Sequence, residues 1–330
     1  MPLDVAELVS RAREGQARAV AKLISLVEDA DPPRRGWAPD RGLDTTLREV
    51  AAALTPHTGN ARIIGLTGPP GVGKSTSTSM LLTALRKEGK RVGVLAIDPS
   101  SPFSGGALLG DRIRMTEHAT DPGVFIRSMA TRGHLGGLSW ATPQAVRVLD
   151  AAGFDVVLIE TVGVGQSEVD VVKLADTTVV LLAPGMGDGI QAAKAGVLEI
   201  ADVFVVNKAD RDGADAVVRD LRQLISLARR EIRGPTWRQA IVPTVAPSGE
   251  GAEDLVRALG AHHDWLVEHG ELTRRRTRRA ASEVEAIALR RLRAEMQDVR
   301  GGDRLTKLAG EVVDRELDPY TAADRLLDAL

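Results

Sequence analysis

Residues 62–67, RIIGLT, run directly into GPPGVGKS, Gly68 to Ser75, and then into a stretch of helical character. A short apolar strand, a glycine-rich turn and a helix start in that order leave few folds open to the chain. The glycines allow the backbone to curl so that successive N–H groups point inward, and the helix N-terminus adds partial positive charge. Such a loop is suited to nucleotide phosphates. Gly68, Pro69, Pro70, Gly71, Val72 and Gly73 are expected to form the cradle, followed by Lys74 on the β- and γ-phosphates, Ser75 with its hydroxyl on Mg²⁺, and Thr76.

Around this loop, apolar runs alternate with helical patterns. Strands are expected at 62–67, 91–97, 124–129, 154–159, 177–183, 202–206 and 241–245. That alternation predicts an α/β fold of the phosphate-loop type: a mainly parallel sheet sandwiched by helices, with ligands at the carboxyl ends of the strands. Helical extensions flank it. Residues 3–29 carry apolar positions at helical spacing, broken at Gly15 and stopped by Asp31-Pro32-Pro33, which predicts two antiparallel helices; a third short helix is expected near 45–54. From about Leu272 the pattern is purely helical, with a long Arg-rich stretch from Arg274 to Met296. The expected division is 1–60 for an N-terminal helical segment, 61–270 for the nucleotide-binding domain and 271–330 for a C-terminal helical arm.

A second motif stands at the end of the strand DVFVV: NKAD, Asn207 to Asp210. A carboxylate there can accept hydrogen bonds from N1–H and the 2-amino group of guanine. Adenine offers an acceptor at N1 and no 2-amino donor, and each unpaired buried polar group costs about 1 to 3 kcal/mol. Asp210 is thus the expected guanine reader, Asn207 a brace for the loop, and the Lys208 stem a support along the base. Lysine is rare here, eight against 35 arginines, yet it stands at Lys74 and Lys208, where a compact ammonium or slim stem is needed.

Two acidic groups at strand ends extend the metal site. Asp98 closes RVGVLAI and Glu160 closes FDVVLI, and either could hold a Mg²⁺-bound water; Asp111, in GGALLGDR, is a third candidate. Gly-rich segments at 104–110, 161–166 and 184–189 follow strands and have the composition of nucleotide-ordered switches. Gln166 stands where an amide could orient the attacking water. His118 and His134 read as structural, and Arg274–Arg279 as a solvated helix face or dimer contact.

Composition narrows the remaining functions. Aromatic residues make up 3% of the chain, and the formal charge is −2, so neither base stacking nor a global pull toward nucleic acid or anionic lipid is expected. The absence of cysteine removes disulfides, thiolate metal sites and cysteine nucleophiles, and fits a reducing cytoplasm. No basic, apolar leader and no run of about 18 apolar residues is present, so a soluble, unprocessed, cytoplasmic protein is expected.

Taken together, GLTGPPGVGKST (65–76), DPSSPFSGGALLGDR (98–112), SMATRGHLGGLS (128–139), ETVGVGQSE (160–168), GDGIQAAKAG (187–196) and NKAD resemble the MeaB/ArgK-type GTPases, the group that includes the human methylmalonic aciduria type A protein. The resemblance runs over nearly the whole chain. It implies a GTPase that binds GTP and GDP with Mg²⁺, forms a homodimer through the C-terminal arm, and acts as a chaperone of adenosylcobalamin-dependent methylmalonyl-CoA mutase, gating cofactor loading and protecting the mutase. It also implies that Lys74 and Ser75 contact phosphate and Mg²⁺, that Asp98, Asp111 and Glu160 belong to the metal site, and that Asn207 and Asp210 read the base. The segment from Ala183 to Lys194 matches an additional switch, drawing attention to Asp188, Gln191 and Lys194. One departure stands out. The last base-contacting loop, often Ser-Ala in GTPases, reads Val245-Ala246-Pro247; the Ala246 N–H could still meet the guanine oxygen, but the hydroxyl is lost.

Two other activities compete with this reading. One is a nucleotide-driven kinase or ATPase linked to amino-acid transport binding proteins, against which the guanine motif argues. The other is a metal-delivery GTPase, disfavoured by zero cysteines and only six histidines.

Overall fold

The apolar runs become seven strands: β1 (Arg62–Thr67), β2 (Val92–Asp98), β3 (Val124–Ala130), β4 (Val156–Thr161), β5 (Thr177–Leu182), β6 (Val203–Asn207) and β7 (Ala240–Thr244). The computed structural model describes residues 4–29, 41–98, 117–118, 120–130, 141–161, 171, 173–185, 200–229, 236–300 and 303–327. Its strands form one sheet in the order β3-β2-β4-β1-β5-β6-β7. The sheet expected to be mainly parallel is parallel at every described pairing. VVLIET in β4 and TTVVLL in β5 are buried along their whole length, as strands covered on both faces must be. β7 lies at the edge, where Pro243 is tolerated because no further strand needs its missing N–H.

Side-chain alternation divides the apolar residues between two faces. On one face Ile63, Leu95, Ile97, Val157 and Ile159 pack against α1 (Val5–Arg13), α2 (Ala17–Asp29), α3 (Arg41–Leu54) and α5 (Ala141–Ala151). Further along that sheet, Val180, Leu182, Phe204 and Val206 pack with α6 (Ala214–Arg229). On the opposite face Ile64, Leu66, Val94, Leu158, Val179 and Val205 meet α4 (Lys74–Lys87) and α7 (Ala252–Glu268). The N-terminal helices are thus part of the same core as the sheet. An ion pair from Arg127 on β3 to Glu28 on α2, with Ser25 accepting a second bond at 3.2 Å, ties them together. The described residues up to Thr273 form one compact unit, and those from Arg274 onward form another.

That second unit holds most of α8 (Glu271–Arg300) with α9 (Asp303–Val313) and α10 (Pro319–Leu327). Asp318 caps α10 by accepting the N–H groups of Tyr320 and Thr321 at 2.9 and 3.1 Å. Val284, Val313 and Tyr320 are exposed. Among the described residues no helix is long and apolar enough to cross a membrane.

Three aspartates close the amino-terminal edge of the sheet in the same way. Asp155, Asp176 and Asp202 each precede a strand, and each accepts the N–H at the start of a neighbouring one: Arg91 at 2.7 Å, Ile63 at 3.1 Å and Thr178 at 2.8 Å. Asp150 does related work at the entry to β1, accepting from Gly59, Asn60 and Ala61 at 2.5, 3.1 and 2.9 Å. These bonds give the strand-end N–H groups side-chain acceptors where the sheet ladder has not yet begun.

The opposite, carboxyl edge carries the glycine-rich loop after β1. β1 lies between β4 and β5, the chain leaving β1 toward β2 on one side and crossing from β4 to β5 on the other. A crevice opens at such a reversal of strand order, and the loop after β1 sits in it.

Candidate functional site

The chain between β1 and α4 turns on glycines whose geometry excludes other residues. Gly68 has φ of +146°, and a Cβ there would stand 2.4 Å from the Leu181 carbonyl oxygen; Gly73 has φ of +90°, with a Cβ 2.5 Å from Asn207 Nδ2. The second clash shows how closely the two sequence motifs pack. Gly73 is the residue before α4, and no side chain caps that helix start. The first-turn N–H groups therefore face the loop, the arrangement that binds anions.

Lys74 is 9% exposed and its ammonium lies over the loop, donating to the carbonyls of Gly68 at 2.6 Å and Pro69 at 3.0 Å. Ser75, buried in the first turn of α4, donates its hydroxyl to Glu160 Oε1 at 2.6 Å. Glu160 is 3% exposed at the end of β4, where the register Leu66↔Glu160 and Ala96↔Glu160 sets it between the loop-bearing strand and β2. A hydroxyl and a carboxylate in contact are hard oxygen donors that fit Mg²⁺, which takes few protein ligands and keeps several waters. Asp98 ends β2 beside them on the same edge; only its backbone is described. Asp111, Gln166, Asp188, Gln191 and Lys194 lie outside the described residues, as does His134. Among the described residues no cluster of three acidic or histidine side chains forms. His118 meets the Thr83 hydroxyl at 3.1 Å, consistent with a structural place.

At the end of β6, Asn207 is 2% exposed and binds on three sides. Its Nδ2 donates to the Val72 carbonyl at 2.8 Å, across 135 residues of sequence. Its Oδ1 accepts from the Ala246 N–H at 3.1 Å and the Thr244 hydroxyl at 3.3 Å. Lys208, in left-handed backbone at φ of 58°, reaches back and donates to the Gly71 carbonyl at 2.7 Å. Asp210 is exposed at the rim of this turn. Asn207 thus links the ends of β6 and β7 to the loop before α4, and the Lys208 side chain ends on that loop. The Ala246 N–H, expected to face the base oxygen, is directed at Asn207. A groove of about 1260 Å³ runs between α4 and α7, with Thr76, Ala246 and Pro247 among the residues along it.

The sequence was not sufficient to find the Ala246–Asn207–Thr244 cluster, since its members touch only after β6 and β7 pair. The register Asn207↔Thr244 brings them together.

The family described as methylmalonyl Co-A mutase-associated GTPase MeaB matches residues 20–300. A Pyrococcus horikoshii protein bearing the name of a GTPase is 46% identical over 333 residues, spanning 100% of this chain and 98% of that protein. The mouse methylmalonic aciduria type A homolog, mitochondrial, is 37% identical over 273 residues, spanning 80% and 64%. A solved structure titled LAO/AO transport system kinase is 26% identical with a TM-score of 0.70, covering 98% of this chain and 96% of that one.

Proposed function

The chain belongs to the MeaB family of GTPases, and from that premise we propose that it is a Mg²⁺-dependent chaperone of methylmalonyl-CoA mutase, with GTP hydrolysis gating loading of the adenosylcobalamin cofactor. The observation that carries the nucleotide assignment is the contact of the two motifs. Asn207 on Val72 and Lys208 on Gly71 join a phosphate loop to a guanine-reading turn, so one ligand can span both.

In this reading the loop 68–73 and the open start of α4 receive the β-phosphate, and Lys74 meets the β- and γ-phosphates. Asp210 takes N1–H and the 2-amino group of guanine. Ser75 and Glu160 would hold Mg²⁺, with Asp98 and Asp111 as further ligands; the ion would neutralise charge developing on the transferred phosphate. Positioning and electrostatics then carry most of the catalysis, because phosphoryl transfer asks little covalent chemistry of the protein. Gln166 orients water, and 183–194, including Lys194, couples the partner to hydrolysis. The protein works as a cytoplasmic homodimer through 271–330, apart from nucleic acid and membrane.

The test is GTP turnover with and without the mutase. A slow basal rate raised by saturating mutase is expected, together with co-elution of the two proteins; absence of both effects would refute the chaperone role. The name of the solved structure keeps a kinase reading in view. Labelled γ-phosphate transferred to a transport binding protein, rather than released, would replace the present reading.

A further inference from the structure

From Val245 to Gly249 the loop after β7 has a closed account of backbone donors. The Val245 N–H bonds the Glu250 carbonyl at 3.1 Å, those of Ser248 and Gly249 bond the Val245 carbonyl at 3.1 Å each, and Pro247 has none. The Ser248 hydroxyl also turns to the Val245 carbonyl, at 3.0 Å. Of these, only the Ala246 N–H points toward the base turn, and it is given to Asn207 Oδ1, which also holds the Thr244 hydroxyl. Guanine presents an acceptor at position 6 and a donor at its 2-amino group, with N1–H between them. On the side expected to meet position 6, the loop therefore offers one N–H, shared with a side chain. On the other side Asp210 offers a carboxylate.

Resting on the guanine-binding reading above, we infer that base selection in this protein is one-sided: Asp210 carries it at N1–H and the 2-amino group, the 6-oxo group adds little, and Pro247 is the residue that makes it so. In a loop with an ordinary residue after Ala246, a second N–H would stand beside the first and could answer the 6-oxo group while Asn207 kept its own bond. Pro removes that donor, and its ring fixes φ so that the loop cannot turn another in its place. The remaining N–H divides between two acceptors, which weakens each bond.

The probes are GDP, 6-thio-GDP, which changes only position 6, and IDP, which lacks only the 2-amino group, each titrated against wild type and Pro247→Ala. Wild type should bind 6-thio-GDP within about threefold of GDP and IDP about tenfold or more weakly, since the bond lost is to a charged group. Pro247→Ala should raise the preference for GDP over 6-thio-GDP by about fivefold or more while leaving the IDP ratio in place. The size of sulfur is the same in both proteins, so the change in ratio reads the added donor. A tenfold preference for GDP over 6-thio-GDP already in wild type, or a ratio that Pro247→Ala does not alter, would overturn the inference while leaving guanine binding intact. ADP binding as tightly as GDP would instead remove the guanine reading itself, and this inference with it.

Discussion

The Ser75 hydroxyl donates to Glu160 Oε1 at 2.6 Å, joining the first turn of α4 to the end of β4 across 85 residues. Both groups are buried, and the bond fixes where the phosphate loop stands relative to the strand beside it.

Glu160→Gln keeps the shape and removes the charge. GTP turnover at saturating Mg²⁺ should fall about 10²-fold, the scale of losing one preorganised electrostatic group. GDP binding in EDTA should stay within about threefold, because the base turn and loop backbone are untouched. Phosphate release and calorimetry measure the two; an equal loss in both would show Glu160 to be a folding residue only.

Gly73→Ala separates the two motifs sterically. The new methyl would meet Asn207 Nδ2 at 2.5 Å from a backbone at φ of +90°. Affinity for GDP should drop about 10²-fold, since both backbone strain and the displaced brace bear on the site. Retention of wild-type affinity would mean that Asn207 does not brace the loop.

Asp150→Ala leaves three backbone donors at the entry to β1 without their carboxylate. A loss of about 2 to 4 kcal/mol in unfolding free energy is expected, read as a lower urea midpoint at unchanged slope. Asp150→Asn, which keeps an oxygen, should lose less. Nucleotide selectivity should not change.

Arg86 and Asp121 give a pH dependence of defined sign. Hydrogen bonds from the Arg86 guanidinium, then from the Gly123 N–H, hold the Asp121 carboxyl below its ordinary value of 3.8. A depressed folded-state pKa stabilises above the unfolded value, and the stabilisation is lost as pH falls through the folded one. Asp121→Asn should therefore be less stable than wild type at pH 7, with the gap narrowing as pH drops below about 4. Urea midpoints at both ends of that window test it; a gap of constant size would contradict the assignment.

All seven strands were legible in the chain, within about two residues at each end: the inner ones because apolar runs buried on both faces of a parallel sheet leave a continuous signal, the half-buried edge strands β3 and β7 because enough of that signal remains. The phosphate loop and NKAD were legible for a different reason: their chemistry is local, carried by consecutive residues. The edge aspartates were not. Asp155, Asp176 and Asp202 look like turn residues in sequence, and their acceptors' role depends on which strand lies alongside. The same holds for His262, whose fully buried ring meets Thr177 at 2.8 Å and Asp202 at 3.3 Å, drawing α7 onto β5 and β6. Sheet order, which no spacing announces, creates these contacts. The division of the chain shows the same dependence: α1–α3 read as a separate segment along the sequence, yet Leu23, Ile24 and Val27 share one core cluster with β2 and β4.

The central claim is that Asp210 and the phosphate loop together make a guanine-nucleotide site. Titrating GDP, a non-hydrolysable GTP analogue, ATP and xanthosine diphosphate by calorimetry, with Mg²⁺, into wild type and Asp210→Asn tests it most directly. Guanine nucleotides should bind at about micromolar Kd, ATP at least about 10²-fold more weakly, and the variant should lose guanine affinity while gaining xanthosine diphosphate, whose 2-oxo group matches an amide donor. Equal binding of ATP and GTP, unaffected by the substitution, would mean that Asn207 to Asp210 form only a turn beside the phosphate loop.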